Sequence, residues 1–149
     1  MRTDIFPCAI TFYHIYCKNA EVIDSYIGHT NKFAQRVREH KSRCMNPADP
    51  AYDRPLYISI RANGGLDNWV FEQIEKTYCE TCDIARHIEQ DFVYIHGANL
   101  NSSRAFTRRA PSSNTYYAVH REAILTKYKE ARLEQKERHL MAQNDILCV

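Results

Sequence analysis

Apolar and polar positions along the chain change period several times, and each change marks an element. Ile10-Thr11-Phe12-Tyr13-His14-Ile15-Tyr16-Cys17 is dense in β-branched and aromatic residues, which suit a pleated, half-buried surface. Lys18-Asn19-Ala20-Glu21 then forms a turn, and Val22-Ile23-Asp24-Ser25-Tyr26-Ile27-Gly28 reads as the returning strand of an antiparallel hairpin. The strands are expected near 9–17 and 22–28. Thr30 or Asn31 is placed to cap a helix. In that helix Phe33, Val37 and His40 recur at spacings of four and three, with Arg36 one turn before His40. Asn46-Pro47-Ala48-Asp49-Pro50 ends it.

Residues 53–62 suit a short helix closed by Asn63-Gly64-Gly65. Trp69, Phe71 and Ile74 alternate partially within 67–77, so a third strand is expected near 69–77. Ile84, Ile88, Phe92 and Ile95 fall at helical spacing within Cys79 to His96. Ala98 to Asn114 is polar and reads as a loop. From Tyr116 to about Gln143 the chain is charged and free of Gly and Pro, a helix whose apolar stripe (Ile124, Tyr128, Ala131) is thin. There is no internal repeat. The expected architecture is α/β of the α+β kind: a small three-stranded antiparallel sheet flanked by helices at residues 5–105, followed by a basic loop and C-terminal helical extension at 106–149.

A chain of 149 residues is long enough for one buried core. No apolar run approaches the ~18 residues needed to span a bilayer. The first residues lack the pattern of a secretory signal, so an intracellular, reducing compartment (cytoplasm or nucleus) is expected. In that setting the six cysteines are read as thiols. Cys79-x-x-Cys82 is half of a zinc site, with no second pair at suitable spacing. The net charge of +2 is unevenly spread. Residues 1–100 hold 11 basic and 13 acidic side chains, and residues 101–149 hold 9 basic and 5 acidic. Lys32, Arg36, Arg38, Lys41 and Arg43 form a second basic cluster. Local basic patches of this kind are the footprint of a nucleic-acid binder, although a solvated helix face looks the same in sequence.

The candidate chemistry is ordered along the chain: His14-Ile15-Tyr16, then Tyr26-Ile27-Gly28, then Arg36 and His40. Farther on come Ala85-Arg86-His87-Ile88-Glu89-Gln90 and Leu100-Asn101. In order and spacing this set, over about residues 10–105, resembles the GIY-YIG nuclease family, with His14 standing at the first glycine of the family's name. Leu56-Tyr57 and Arg61 to Trp69 are similar to a subgroup of free-standing viral or mobile-element proteins. The resemblance implies a metal-dependent endonuclease that hydrolyses DNA phosphodiesters, with Glu89 holding one Mg²⁺ (or Mn²⁺).

Phosphodiester hydrolysis needs a base for the attacking water, neutralised phosphate oxygens and a stabilised leaving oxygen, all held in line. Tyr16 is the candidate base. A free phenol titrates near 10, so it needs nearby positive charge or a proton-accepting neighbour, and Tyr26 and His40 are the neighbours named for it. Arg36 offers a guanidinium fork for phosphate. Arg38, Asn101, Arg104, Arg108 and Arg109 are candidate substrate contacts. Basic residues of the last helix (Arg121, Lys127, Lys129, Arg132, Lys136, Arg138) are further ones, interleaved with acids that equally suit an oligomer arm. A double-strand cut by one such site requires a homodimer or two successive nicks. Taken singly, each residue has an ordinary structural explanation, and only the ordered set points to a nuclease. A binding module of the same fold without activity, and a zinc-dependent interaction protein built on Cys79 and Cys82, are the alternatives.

Overall fold

The computed structural model describes residues 5–101 and, beyond them, single positions between 122 and 141. The chain divides into two compact units, Met1–Arg109 and Ala110–Val149. In the first unit the described residues form β1 (Cys8–Cys17), β2 (Ser25–Thr30), α1 (Phe33–Met45), α2 (Pro55–Ala62), a 3-10 turn (Leu66–Asn68), β3 (Trp69–Cys79) and α3 (Cys82–His96). The sheet is antiparallel throughout, in the order β2-β1-β3. This is the α+β arrangement expected from the pattern of the sequence.

β1 is central because it is apolar on both faces. Successive side chains on a strand point to opposite sides, so Tyr13, Ile15 and Cys17 face one way and Ile10, Phe12, His14 and Tyr16 the other. The first set packs with Cys44 of α1, Leu56, Tyr57 and Ile60 of α2, Trp69 and Leu100. On the second face Phe12 meets Phe92 of α3 at 5.5 Å between ring centroids, and His14 meets His96 at 4.5 Å. α3 supplies Ile84, Ala85, Ile88, Phe92 and Ile95 to this layer. Fully burying a side chain of this size contributes roughly 1.5–3 kcal/mol, and Ile10, Phe12, Tyr13, Ile15, Ile27 and Ile60 are all completely inaccessible.

Several boundaries differ from the sequence expectation, each for a local reason. The second strand begins at Ser25, not Val22. Asn19 draws the turn out, its carbonyl accepting from Val22 N and its side chain from Glu21 N, and Ile23 is left 81% exposed. Thr30 ends β2 instead of capping α1: its hydroxyl accepts from Lys32 N, and Lys32 is the cap position, without a side-chain cap. α3 starts at Cys82 because Thr81 caps it, the hydroxyl accepting from Ile84 N at 3.3 Å. α2 starts at Pro55, whose fixed φ suits a first helical turn. After it the chain reverses through Gly64 and Gly65 at φ +90° and +75°, backbone that a side chain would strain. β3 carries a bulge: Phe12 pairs with Glu75 but Tyr13 with Gln73, leaving Ile74 as the extra residue.

Two polar ties fix the surroundings of the site. Arg61 of α2 donates to the carbonyls of Cys44 and Tyr52 and stacks on the Tyr52 ring at 3.7 Å, binding the 46–54 connection to both helices. At the outer edge of β2, residues 99–101 take the place of a strand. Asn99 Oδ1 accepts from Ser25 N, Leu100 N donates to Ser25 O, and the Asn101 amide both accepts from Ile27 N and donates to Ile27 O. In the second unit, Glu122, Thr126, Glu130, Leu133, Glu134, Glu137, Arg138 and Met141 are helical and exposed, in line with the helix expected over 116–143. The loop expected over 98–114 lies outside the described residues beyond Asn101. Among the described residues, no helix is long and apolar enough to cross a membrane.

Candidate active site

The hairpin register decides which tyrosine meets the Tyr26-Ile27-Gly28 triplet. Tyr13 pairs directly with Gly28, and Tyr16 pairs with Ser25. Gly28 is needed here because the Tyr13 ring lies across it: an added Cβ would sit 2.4 Å from the Tyr13 hydroxyl oxygen. The same face carries Tyr26, whose ring centroid is 6.4 Å from that of Tyr13. Below them α1 presents His40, almost fully buried. Tyr13 Oη lies 2.9 Å from His40 Nε2, and Tyr57 Oη of α2 lies 2.9 Å from His40 Nδ1. The imidazole is therefore held between two phenols.

A cavity of about 170 Å³ opens beside this group. It is lined by Tyr26, Arg36, His40, Arg43, Arg54, Tyr57, Glu89 and Asn101, with Pro55, Leu56 and Leu100 at its apolar wall. Arg36, His40 and Arg43 recur at i, i+4 and i+7, which is one face of α1. Glu89 comes from α3, on the other layer, and its carboxylate is hydrogen-bonded to the His29 ring of β2. Tyr13 is fully buried behind His40.

The electrostatics follow from burial and three guanidiniums. Burial, together with Arg36, Arg43 and Arg54, pushes His40 down to about 3, so the imidazole is neutral at any ordinary pH. Burial pushes Tyr26 up to about 12, with Glu89 adding to the rise while Arg36 and Arg54 oppose it. Burial also raises Tyr13 well above the usual phenol value, helped by Tyr26 and Glu89 and opposed by Arg36. Among the described residues lining the cavity, Glu89 is the one carboxylate, and no three His, Cys, Asp or Glu come together to hold a metal. Mg²⁺ commonly takes one or two carboxylates, with phosphate and water completing its shell, so this donor set fits that ion.

Of the residues singled out from sequence, Tyr26, Arg36, His40, Glu89 and Asn101 line one cavity. Tyr16 is not brought to it. Lying three positions after Tyr13, it falls on the opposite face of β1, its ring 4.8 Å from that of His14, and burial and Glu72 push its phenol up. His14 shares that face and packs on His96. Arg38 is exposed and lies two residues from Arg36, roughly 200° around the helix, away from the cavity. The Asn101 side chain is engaged with the Ile27 backbone. Arg104, Arg108 and Arg109, and basic residues of the last helix such as Arg121 and Lys127, lie outside the described residues. Arg138 is described, helical and exposed. Cys79 is buried opposite Cys8 on β1, and Cys82 opens α3. Sequence reasoning did not single out Tyr13 or Arg54, and named Arg43 only as a member of the basic cluster with Arg36 and Arg38. Alternation along β1, which is apolar on both faces, gave no signal for Tyr13, whereas Arg43 was marked by its helical spacing from Arg36 and His40.

Residues 9–81 match the profile of the GIY-YIG catalytic domain. No curated protein and no solved structure matches the chain. The match begins at Ala9 and ends at Thr81, so it spans both tyrosine-bearing strands, α1, α2 and β3, and stops just before the helix that carries Glu89. With that match and the three-stranded sheet behind it, residues 9–81 carry a GIY-YIG catalytic domain.

Proposed function

We propose that the protein is a divalent-metal-dependent DNA endonuclease whose general base is Tyr13, the role that sequence alone had given to Tyr16. The observation that carries this reading is the convergence of Tyr26, Arg36, His40 and Glu89 on one cavity, with Tyr13 hydrogen-bonded to His40 behind it. In this reading Thr11-Phe12-Tyr13 stands at the family's first triplet, with Thr11 at its glycine. Arg36 bridges phosphate oxygens of the scissile group. Its charge beside Tyr13 also works against the burial that keeps the phenol protonated. Tyr13 takes the proton of the attacking water as its own phenol proton passes to His40 Nε2, and Tyr26 orients that water at the cavity wall. Glu89, oriented by His29, would hold Mg²⁺ or Mn²⁺, which supplies Lewis-acid polarisation of the phosphoryl and leaving oxygens. Arg43 and Arg54 take the place proposed from sequence for Arg38: they line the same cavity and suit a neighbouring phosphate of the bound strand. Arg104, Arg108, Arg109 and the basic residues of the second unit extend that contact. A homodimer or two successive nicks would give a double-strand cut.

Nicking of supercoiled plasmid by the full chain, with Mg²⁺, with Mn²⁺ and with chelator, tests the reading. Cleavage is expected with either metal and none with chelator. Glu89→Ala and Tyr13→Phe are each expected to lose at least about 100-fold in rate, the usual scale of acid–base catalysis, and Tyr16→Phe to stay near wild type. A Tyr13→Phe protein that cuts normally would remove Tyr13 from the chemistry, and normal cutting by Glu89→Ala would remove the metal site.

A further inference from the structure

We infer that Arg61 is a positioning residue for the hold on DNA: by gripping the chain near both ends of the 46–54 connection, it sets Arg43 and Arg54 toward the cavity as the contact for a second phosphate. The inference rests on the nuclease reading for the strand that lies there, and on hydrogen bonds between described residues for the grip.

α1 ends at Met45, and the carbonyls of a helix's last turn have no partner within the helix. The planar guanidinium of Arg61 carries five N–H donors in a fixed fork. One arm donates to the Cys44 carbonyl at 3.1 Å and the other to the Tyr52 carbonyl at 2.9 Å. The fork also stacks on the Tyr52 ring, 3.7 Å from its centroid. Cys44 directly follows Arg43, and Tyr52 stands two residues before Arg54. Between the two gripped carbonyls the chain is a run of turns. The carbonyls of Asn46, Asp49 and Ala51 accept from Asp49 N, Tyr52 N and Arg54 N in succession. The Arg54 carbonyl then accepts from Tyr57 N and Ile58 N in the first turn of α2. The backbone of Arg54 is therefore fixed on both sides, and the hold of Arg61 on Tyr52 is passed to it through one turn.

The residues flanked by the grip give it a use beyond holding the fold. Arg43 and Arg54 line the cavity, and Arg61 does not. Among the described residues neither Arg43 nor Arg54 is in an ion pair, whereas Arg36 has Glu39 at 3.5 Å and Arg61 has Asp53 at 3.9 Å. Glu89, the carboxylate at the cavity, is engaged with His29. Like charges brought to one cavity repel, and the Arg54 side chain is exposed, so a loose connection would let it turn out into solvent. Kept in place, the two guanidiniums are forks that match phosphate oxygens. In the nuclease reading Arg36 takes the scissile phosphate, and the anion left for Arg43 and Arg54 is the next phosphodiester of the strand. Arg61 thus acts on DNA through these two side chains, at one remove from the phosphate.

Binding of the full chain to a labelled duplex, followed by anisotropy in Ca²⁺ over a range of salt, tests the inference. Arg61→Met keeps the length of the stem and removes the fork. It is expected to weaken binding about 10-fold and to lower the slope of log K against log salt by about 1 or more, since each phosphate contact contributes about 0.9. Made on top of Arg43→Ala and Arg54→Ala, the same change is expected to alter affinity by less than about 2-fold, the non-additivity of side chains that act as one unit. An equal loss in both backgrounds means that Arg61 acts through the fold at large or touches DNA itself. No loss in either means that the two cations keep their places without it. Each of these results overturns the inference. Tyr52→Ala removes the ring at the other end of the grip and is expected to repeat the pattern, so the question is decidable even if Arg61→Met does not fold. Plasmid nicking keeps the two readings apart. A wild type that nicks but lacks the coupling loses the inference alone, and one that shows the coupling but cuts with neither metal loses the nuclease reading while Arg61 keeps its role in holding DNA. A full chain with no affinity for duplex overturns the inference outright.

Discussion

At the scale of single residues, the most consequential feature is a histidine that is buried uncharged. In an unfolded chain a histidine titrates near 6.5, whereas His40 in the fold is pushed down to about 3. Between those values the unfolded chain binds a proton that the folded one refuses. Stability associated with His40 is therefore complete above about 6.5 and is lost as pH falls toward 3, with a slope of up to about 1.4 kcal/mol per pH unit. Asp24, held low by hydrogen bonds from Ser59 and Asn99, adds acid sensitivity below the ordinary carboxylate range near 4. Urea melts between pH 6.5 and 4.5 thus isolate the histidine. The wild type is expected to lose stability steadily through that window, and His40→Gln to show a flatter slope from a lower starting stability. Equal slopes in the two proteins would mean that His40 takes up its proton in the fold without penalty.

At the scale of elements, much was legible because periodicity speaks directly to packing. Among the described residues β1, β2, β3, α1, α2, α3 and the break after α1 follow from spacing and from Gly and Pro placement. The ends were less legible. Cap and turn side chains compete for the same backbone groups, as Thr30 and Asn19 show. The site was legible as a set of residue types but not in strand parity. Ile10 to Cys17 is apolar on both faces, so alternation gave no means of telling which of two tyrosines three apart would face α1. Only the pairing of Tyr13 with Gly28 settles it. That pairing carries its own prediction. Gly28→Ala would force a methyl to 2.4 Å from the Tyr13 hydroxyl and 3.0 Å from the Tyr26 ring. Overpacking of this kind costs roughly 1–3 kcal/mol, so the variant is expected to fold with a lower melting temperature. Its cleavage rate is expected to fall about 100-fold, out of proportion to that loss, because the Tyr13–His40 hydrogen bond is displaced. A rate that follows the folded fraction alone would show that the tyrosine position is not critical.

At the scale of the whole molecule, the excess of positive charge lies late in the chain. The cavity's cations, Arg36, Arg43 and Arg54, sit in a first stretch of 100 residues whose overall balance is acidic, 11 basic against 13 acidic. The surplus of positive charge lies in 101–149, with 9 basic against 5 acidic. A stretch with that acidic balance gains little long-range attraction for DNA by itself, and Arg104, Arg108 and Arg109 bring the first unit only to 14 basic against 13 acidic. Counterion release scales with the number of phosphates contacted, about 0.9 in the slope of log K against log salt for each. The core packed around β1 draws on residues between Ile10 and Leu100, all within the first unit. A chain ended at Arg109 is therefore expected to keep its melting temperature, its far-UV circular dichroism falling only by the helix removed. Its binding to a labelled duplex, measured by anisotropy in Ca²⁺, is expected to weaken and to show a salt slope lower by at least about 1. The rate of cleavage at saturating DNA should stay near that of the full chain, because every residue of the proposed chemistry is retained. An unchanged slope would free the last helix from DNA and turn attention to its interleaved acids and exposed Leu133 and Met141 as a surface for another copy of the chain. Sedimentation of the full chain against the shortened one would then decide that question.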